Sequence, residues 1–413
     1  MKSRRRCMYT KAIKISPSFT GCILGGEMIL NNVQLINGTT VSIRISESKI
    51  DRLSTEPLME KGQQEVMFSH AWAFPGLINS HDHLDFNLFP QLGSRTYKSY
   101  TEWGEYIHET YANEIAAGLK IPLALREQWG IYKNLLCGVT TVVNHGEKHS
   151  PKDALIGIVE NKQDLHSVAF EKQWKKRLNN PLKIKQPVVM HVGEGTNPAA
   201  HSEVDELIRW NLLHRKLIGI HGVALSPAQA RYFKALVWCP QSNYFLLNAT
   251  APVNRLKRFT SILFGTDSTL TSSWNIWEHI TLARETQMLS DEELFRSLTS
   301  DAAKVWKLNC GSIAEEFDAD LLLVKDTGNK GLDAFYSTKP EDILMVISKG
   351  NIRLFDQSLY HQLGDMPLHQ FSKVYSGRSV KYVQGDLHGL MNHIRQYKAD
   401  IPFPVYIPSE PAA

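Results

Sequence analysis

The sequence predicts an α/β fold in which buried parallel strands alternate with helices, as in a TIM-like (β/α) barrel. Several runs are rich in Val, Ile and Leu without polar alternation, which is typical of parallel strands covered on both faces. They include residues 187–192, 217–220 and 261–264. Helical patterns lie between or after such runs, among them residues 201–216 and 291–308. A chain of 413 residues is long enough for a barrel of the usual size and a smaller domain.

The segments before and after this alternating region have a different pattern. Residues 22–73 contain short apolar runs separated by Gly, Asn and Ser, which predicts β-hairpins. The barrel is expected over residues 74–310. Strands are again predicted at residues 319–324 and 343–355. The polar and aromatic tail that follows has one predicted helix, at residues 386–397.

The composition is that of a globular enzyme, with 43% hydrophobic and 21% charged residues. A net charge of +4 gives no case for nucleic-acid binding, and much of the excess lies in residues 1–7. TKAIKISPS follows rather than an apolar run, so no signal peptide is expected. No run approaches the ~20 apolar residues of a membrane span. The five cysteines are scattered without a CxxC pair, which predicts a reducing, cytoplasmic location.

Two histidines flank a single residue in the motif His81–Asp82–His83, which follows the apolar run PGLIN. Residues i and i+2 of a strand point to the same side, so His81 and His83 are expected to project together. Two imidazoles held side by side at a strand end form half of a metal site. The remaining ligands must come from elsewhere in the chain.

Polar residues at the ends of later strands can complete this site; they are His191, Glu194, His221 and Asp267. In a parallel barrel the carboxyl ends of the strands meet at one face, where the loops converge. Taken singly, each has an ordinary explanation. His221 could be a hydrogen-bonded core residue, Asp267 a turn former or helix cap, and Glu194 a solvated loop acid. Their common placement after buried strands favours one joint site.

The order HxH, HxxE, His and Asp resembles the amidohydrolase superfamily of metal-dependent hydrolases. More narrowly, it looks like the branch that holds cytosine-, guanine- and adenosine-type deaminases and triazine chlorohydrolases. CGVTTVV (137–143) is similar to the second barrel strand of that branch, and WCPQSNYFLLNATAPV (238–253) to its strand-seven signature. Residues 300–324 look like its closing helix and re-entry strand. The resemblance spans residues 25–355.

The resemblance implies one divalent metal ion, held by four ligands with a position left for water: His81, His83, His191 and Asp267. Imidazole and carboxylate ligands suit zinc, which is favoured here, or iron. Such an ion lowers the pKa of its water to about 7. By the same resemblance Asp267 accepts the proton of the water and His221 hydrogen-bonds the water or the developing oxyanion. Glu194 passes a proton to the ring nitrogen and then to the leaving ammonia.

Three further residues are predicted to contact the substrate. Asp85 and Trp103 follow the first strand, where they could hydrogen-bond or stack on a planar heterocycle. His145 follows the second strand, at the expected mouth of the pocket. Ordinary loop packing is the alternative for each of them.

One stretch departs from the pattern of the family. Residues 146–190 should hold two strand–helix units, for which they are short. Residues 166–171 (HSVAFE) can serve as strand three, and residues 172–185 then leave little room for a helix and strand four. The barrel is therefore expected to be compressed between strands 2 and 5. This weakens the case for a second metal ion on a carboxylated lysine of strand four.

The family also implies how the chain divides into domains. Strands from both ends would complete one small β-sandwich, composed of residues 1–73 and 311–357. Residues 74–310 would form the metal-dependent hydrolase barrel, and residues 358–413 a C-terminal extension.

The sequence thus predicts an enzyme, a hydrolase of carbon–nitrogen bonds other than peptide bonds. The favoured activity is removal of an exocyclic amine from a nitrogen heterocycle or an amidine-like compound. A related hydrolase that cuts an amide, lactam or carbon–halogen bond with the same apparatus is the alternative. A non-catalytic barrel scaffold ranks last, because a full set of ligands is present. The expected partner is a small-molecule substrate, and self-association into a homo-oligomer is left open.

Overall fold

The computed structural model describes residues 27–146, 154–364 and 366–407. The basic start of the chain, on which the signal-peptide prediction was based, lies outside these described residues. The strands are β1 (Met28–Leu35), β2 (Thr40–Ser46), β3 (Lys49–Ser54), β4 (Gln64–Met67), β5 (Ala71–Pro75), β6 (Leu77–Asp82), β7 (Val139–Asn144), β8 (Gly157–Ile158), β9 (Gln163–Asp164), β10 (Val188–Val192), β11 (Leu217–His221), β12 (Phe233–Trp238), β13 (Ser261–Phe264), β14 (Leu321–Lys325), β15 (Ile343–Ser348), β16 (Asn351–Asp356), β17 (Phe371–Ser376) and β18 (Ser379–Gln384).

The α-helices in the same described parts of the chain are α1 (Tyr100–Thr110), α2 (Ala112–Leu119), α3 (Leu123–Leu135), α4 (Trp174–Leu178), α5 (Pro198–Trp210), α6 (Pro227–Ala230), α7 (Pro240–Leu247), α8 (Val253–Leu256), α9 (Ile276–Glu285), α10 (Asp291–Ser297), α11 (Ser300–Trp306), α12 (Leu332–Tyr336) and α13 (Leu387–Tyr397). None of the described helices is both long and apolar enough to cross a membrane.

Two parallel sheets hold the strand ends that were predicted to carry chemistry. One has the order β13-β12-β11-β10-β9 and the other the order β6-β7-β8. A parallel bridge between Asp82 and Asp267 links the end of β6 to the segment that follows β13. The predicted mixed α/β fold with parallel strands is therefore confirmed.

The region between barrel strands 2 and 5, which are β7 and β10 of the structure, differs from the prediction. Residues 166–171 were expected to be strand three, but they are coil and turn. The two strands of this region are β8 and β9, each two residues long, with only residues 159–162 between them. A regular crossover helix does not fit in so short a connection. The prediction of residues 166–171 as a strand was wrong because a two-residue strand leaves no pattern that sequence periodicity detects.

The largest sheet joins strands from both ends of the described chain. Its order is β17-β18-β16-β15-β14-β5-β1-β2-β3, with β4 beside β1. The strands predicted after residue 310 are present as β14 to β16, and β14 pairs antiparallel with β5. β17 and β18, which were not predicted, extend the same sheet. Because β5 leads directly into β6, this sheet anchors the strand that carries the first two histidines.

A buried cluster of aliphatic side chains lies between the parallel strands, on the amino-terminal side of the polar residues. It includes Ile78, Val189, Ile220, Val237 and Leu263, all less than 1% exposed. Each comes from a different strand, so burial of these side chains brings five strands together. Their carboxyl ends, which carry the polar residues, are held close to one another as a result.

Helix α3 packs directly against the backbone that follows His83. A Cβ atom on Gly130 would lie 2.3 Å from the carbonyl oxygen of Leu84 and 2.7 Å from its Cα. Backbone atoms cannot move aside as a flexible side chain can. Glycine at position 130 therefore permits the close approach of α3 to the segment that follows His81 and His83.

We expect Gly130→Ala to destabilise the protein although alanine favours helices by about 1 kcal/mol. The steric conflict with Leu84 should cost about 1–3 kcal/mol and so lower the midpoint of thermal unfolding. Gly104 in α1 is the matched control, because its Cβ would meet only the Phe170 ring, at 3.6 Å. Gly104→Ala should leave the midpoint unchanged or raise it. A Gly130→Ala variant as stable as the parent would show that α3 does not set this packing distance.

Candidate metal centre

His81 and His83 lie at the end of β6 with their rings on the same side, as the strand period predicts. The ring centroids are 4.9 Å apart. All residues of β6 are buried, and His81 is 0% exposed. The Nε2 atoms of His81 and His83 lie 3.4 and 3.6 Å from Oδ1 of Asp267. The two imidazoles and one carboxylate oxygen thus converge.

His191 on β10 supplies a third imidazole. Its Nε2 lies 3.4 Å from Nε2 of His83. Its Nδ1 donates a hydrogen bond of 2.8 Å to the carbonyl oxygen of His166, which leaves Nε2 with a free lone pair towards the other histidines. Nitrogen atoms of His81, His83 and His191 lie within 4.8 Å of one another, close enough to bind one metal ion.

Oδ1 of Asp267 faces the histidines, and Oδ2 accepts hydrogen bonds from neighbouring hydroxyl groups. Its Oδ2 accepts hydrogen bonds from Ser242 Oγ at 2.7 Å and Thr271 Oγ1 at 2.9 Å. The backbone of Asp267 has φ +60°, a conformation uncommon for a residue other than glycine. Burial raises the pKa of this carboxyl, but the contact with His81 and the neighbouring imidazoles outweigh it, so the pKa lies well below its usual range. Asp267 is therefore an anion with Oδ1 directed at the histidines.

The donor atoms of this group fit a divalent metal ion. Burial lowers the pKa of His81 to about 4, so the ring is neutral at pH 7. Both of its nitrogens are buried without a hydrogen-bond partner, although buried polar atoms are normally paired. Neutral imidazole nitrogens together with one carboxylate are the ligands that zinc or iron takes in proteins. A metal ion would satisfy Nε2, the nitrogen that faces Asp267.

Glu194 and His221 lie beside each other at the ends of β10 and β11. Oε1 of Glu194 is 3.5 Å from Nε2 of His221, and the Glu194 side chain is only 6% exposed. Burial raises the pKa of Glu194 well above its usual range, and the negative charges of Asp267 and Glu203 raise it further. A buried carboxyl whose pKa is raised in this way is suited to donate a proton.

The hydrogen bonds of Asn243 determine the tautomer of His221. Nδ1 of His221 lies 2.8 Å from Oδ1 of Asn243, while Nδ2 of Asn243 donates to Thr250 Oγ1 at 3.2 Å. The amide oxygen therefore faces the imidazole and accepts a hydrogen bond from the Nδ1–H group. Burial lowers the pKa of His221, so the ring is neutral and its Nε2 is a hydrogen-bond acceptor.

A partly buried acid, Glu203 on α5, supports the turn that carries Glu194. Its Oε1 accepts a hydrogen bond of 2.9 Å from the backbone N–H of Gly193, which has φ +55°. The hydroxyl of Tyr100 donates to Oε2 of Glu203 at 3.3 Å. Burial raises the pKa of Glu203 to about 7. Glu203 thus fixes the backbone between His191 and Glu194.

The three predicted substrate contacts are in different environments. His145 lies within the histidine group, with its ring centroid 4.5 Å from that of His191. Asp85 forms an ion pair of 3.2 Å with Arg126. Trp103 donates from Nε1 to the carbonyl oxygen of Leu92 at 2.6 Å. The structure therefore brings only His145 into direct contact with the candidate ligands, and substrate contact remains a prediction for all three.

Several supporting residues were not predicted from the sequence. Glu203 lies in a stretch whose pattern is that of an ordinary amphipathic helix, so nothing distinguished it. The His166 carbonyl is a backbone group and has no sequence signal. Ser242 and Asn243 lie in the CPQSN segment, and that motif was the one available signal for their contacts with Asp267 and His221.

Comparison with known proteins gives one consistent family. Residues 182–353 match the amidohydrolase family. Two 5-methylthioadenosine/S-adenosylhomocysteine deaminases, from Pyrococcus abyssi and Pyrococcus horikoshii, are 27% identical over 179 and 176 residues. Each alignment spans 38% of this chain and 42% of the relative.

Solved structures with the same fold cover most of this chain. An adenosine deaminase from Xanthomonas campestris with bound zinc has a TM-score of 0.65 at 16% identity, covering 91% of this chain and 98% of that one. An atrazine chlorohydrolase from Arthrobacter aurescens complexed with zinc has a TM-score of 0.67 at 15% identity, covering 91% of this chain and 100% of that one. The match over residues 182–353 and the deaminase relatives support the predicted resemblance to the amidohydrolase superfamily, and the solved structures show the same fold.

Proposed function

We propose that this protein is a metal-dependent aminohydrolase that removes an amine from a nitrogen heterocycle or an amidine-like carbon. The observation that carries the proposal is the convergence of three imidazoles and Asp267 beside a buried Glu194. The Pyrococcus relatives and the Xanthomonas structure are named as deaminases of adenosine-type compounds, which supports a purine nucleoside or a related base as the substrate class.

The proposed metal ligands are His81, His83, His191 and Asp267. A divalent ion held by them, zinc in preference to iron, would lower the pKa of a water molecule to about 7 and so supply a nucleophile at neutral pH. The Asp267 carboxylate would accept the proton of that water, while Ser242 and Thr271 hold its Oδ2 in place.

His221 orients the attacking water in this scheme. With Nδ1–H donated to Asn243, its Nε2 can only accept, so it accepts a hydrogen bond from the water rather than donating one to a developing oxyanion. Two roles were predicted for His221, a hydrogen bond to the water or one to the developing oxyanion. This geometry supports the hydrogen bond to the water.

Glu194 moves the second proton. Its carboxyl would donate its proton to the ring nitrogen next to the reacting carbon, take up the hydroxyl proton of the adduct and pass that proton to the leaving amine. The proton held by Asp267 would then return to Glu194. The balance is one water consumed, one C–O bond formed, one C–N bond broken and ammonia released. His145, which lies against His191, is proposed to contact the heterocycle, as are Asp85 and Trp103, which follow the first barrel strand.

The finer architecture is also part of the proposal. We infer that strands β6 to β13 close as a compressed TIM-like barrel, which the Asp82–Asp267 bridge supports. Residues 1–73 and 311–357 would form the composite β-sandwich around barrel residues 74–310, with 358–413 as an extension. The ten-stranded sheet that joins both ends supports this division.

We expect the zinc-loaded protein to release ammonia from at least one aminated heterocycle. The test measures ammonia from a panel of 5′-methylthioadenosine, adenosine, guanine, cytosine, an aminotriazine and a pterin. Chloride from a chlorotriazine and amine from a lactam are measured in parallel, because the metal ligands do not encode the leaving group. Ammonia from none of the panel, with chloride or lactam product instead, would replace deamination by the alternative hydrolase activity.

A further inference from the structure

A fully buried ion pair lies behind the metal site and has no part in the proposed chemistry. Asp82 and Lys133 are 0% and 2% exposed, and Nζ of Lys133 lies 3.0 Å from Oδ2 of Asp82. Such a pair is costly to desolvate, and hydrophobic residues of similar size are often as stabilising. Its presence next to the histidines therefore indicates a role in positioning the proposed metal ligands.

Asp82 is the residue between the two histidines of the HxH motif. Adjacent strand residues point to opposite sides, so the Asp82 carboxylate points away from His81 and His83 and towards α3. Its Oδ2 accepts hydrogen bonds from Asn134 Nδ2 at 2.8 Å and Asn79 Nδ2 at 3.0 Å, besides Lys133. This dense set of donors fixes the strand end that carries both imidazoles.

The same group reaches the strand end that carries Asp267. Nζ of Lys133 donates to Oγ1 of Thr266 at 3.2 Å, and Thr266 Oγ1 donates to Oδ2 of Asp82 at 3.3 Å. The backbone N–H groups of Thr266 and Asp267 both donate to the carbonyl oxygen of His81, at 3.0 and 3.1 Å. Lys133 thus connects helix α3 to the two segments that supply three of the four proposed ligands.

We propose that Lys133 and Asp82 are a positioning pair that holds the HxH motif and Asp267 at the separation a metal ion requires. This inference rests on the proposed metal site. Neither side chain faces the histidines' nitrogens, so the pair acts through the backbone of its neighbours. Without it, the ligands would remain but their preorganisation would be lost. Outer-shell partners of metal ligands typically change metal affinity by about 10–100-fold.

The test uses Lys133→Met and Asp82→Asn, which remove the charge at nearly constant size. Zinc affinity is measured by competition with a chromogenic chelator, and the cobalt-substituted protein is examined by visible absorption. We expect zinc to bind about 10–100-fold more weakly to each variant and the cobalt bands to shift. The double variant should lose less affinity than the two single losses multiplied, because neither charge is left unpaired.

Lys381 is the matched control. It is another buried lysine, 1% exposed, whose Nζ lies 2.8 Å from Oδ2 of Asp356 in the ten-stranded sheet. Lys381→Met should lower the thermal midpoint of the metal-free protein and leave zinc affinity within about twofold of the parent, since its neighbours are not ligands.

The outcomes distinguish a failure of the positioning role from a failure of the proposed metal site. Wild-type zinc affinity in Lys133→Met and Asp82→Asn, with a lowered midpoint as in Lys381→Met, would reduce the pair to a stability role and overturn the inference. Absence of zinc binding by the parent chain would overturn the proposed function, and the inference with it. If Lys133→Met does not fold, the zinc affinity of Asp82→Asn tests the inference by itself, because the amide keeps the shape of the carboxylate.

Discussion

Glu194→Gln is expected to lower kcat for amine release by about 10²–10⁴-fold, the range that general acid–base catalysis contributes. The amide has the shape of the carboxyl but cannot transfer a proton. Burial raises the pKa of Glu194 well above its usual value, which favours its role as a proton donor. Metal content should be unchanged, because Glu194 is not among the proposed ligands. The measurements are steady-state ammonia release and metal analysis of the purified protein.

Glu203→Gln is the control for this experiment. Glu203 is a partly buried acid close to β10, but it contacts the Gly193 N–H and the Tyr100 hydroxyl rather than the proposed ligands. Its amide oxygen can still accept from Gly193, so we expect a loss of about tenfold or less, well below the acid–base range. Equal losses in both variants, or loss of the metal in Glu194→Gln, would contradict the role given to Glu194.

His81→Ala is expected to abolish both metal binding and turnover, and Asp267→Ala should do the same. His81 is fully buried, its nitrogens have no other partner, and it faces Asp267 at 3.4 Å. Removing it takes away one of four ligands and leaves a cavity into which water can enter. We expect metal content below about a tenth of the parent and no measurable ammonia release, consistent with the steep dependence of zinc binding on ligand number.

His279 on α9 provides the comparison for the loss of a buried histidine. It is 0% exposed and, like His81, has its pKa lowered by burial to about 4, but its Nε2 donates to the carbonyl oxygen of Ser273. His279→Ala should reduce thermal stability and keep the metal. Full activity in metal-free parent protein would be incompatible with the proposed mechanism as a whole.

The HxH motif shows what can be predicted from the sequence. A strand period of two places His81 and His83 on one side whatever the rest of the chain does, so their convergence followed from local geometry. The placement of His191, His221 and Asp267 after apolar runs was equally local. Because parallel strands present their carboxyl ends at one face, these separate local facts predicted a common site.

Asp82 shows the limit of such inference. In the sequence it is a spacer between two histidines, and Lys133 is one of several charged residues in an amphipathic helix. Their ion pair depends on the approach of α3 to β6, which Gly130 permits by having no side chain against Leu84. Contacts between residues 51 positions apart leave no periodic signal.

The region between β7 and β10 was the other difficulty. Strand prediction relies on runs of four or more apolar or alternating residues, and β8 and β9 have two residues each. Residues 166–171 had the better pattern, yet they form the turn whose His166 carbonyl orients His191. Hydrogen bonds from neighbouring strands decide where such short segments become strands.

The sequence by itself therefore determined the mixed α/β class with parallel strands, the family resemblance and the residue types gathered at the strand ends, because these depend on local period and order. The tertiary structure decided which atoms of those residues face one another: Oδ1 rather than Oδ2 of Asp267, and Nε2 of His191 and His221. These choices depend on partners such as Ser242, the His166 carbonyl and Asn243 that are distant in sequence or belong to the backbone. Donor and acceptor directions arise only when the chain is folded.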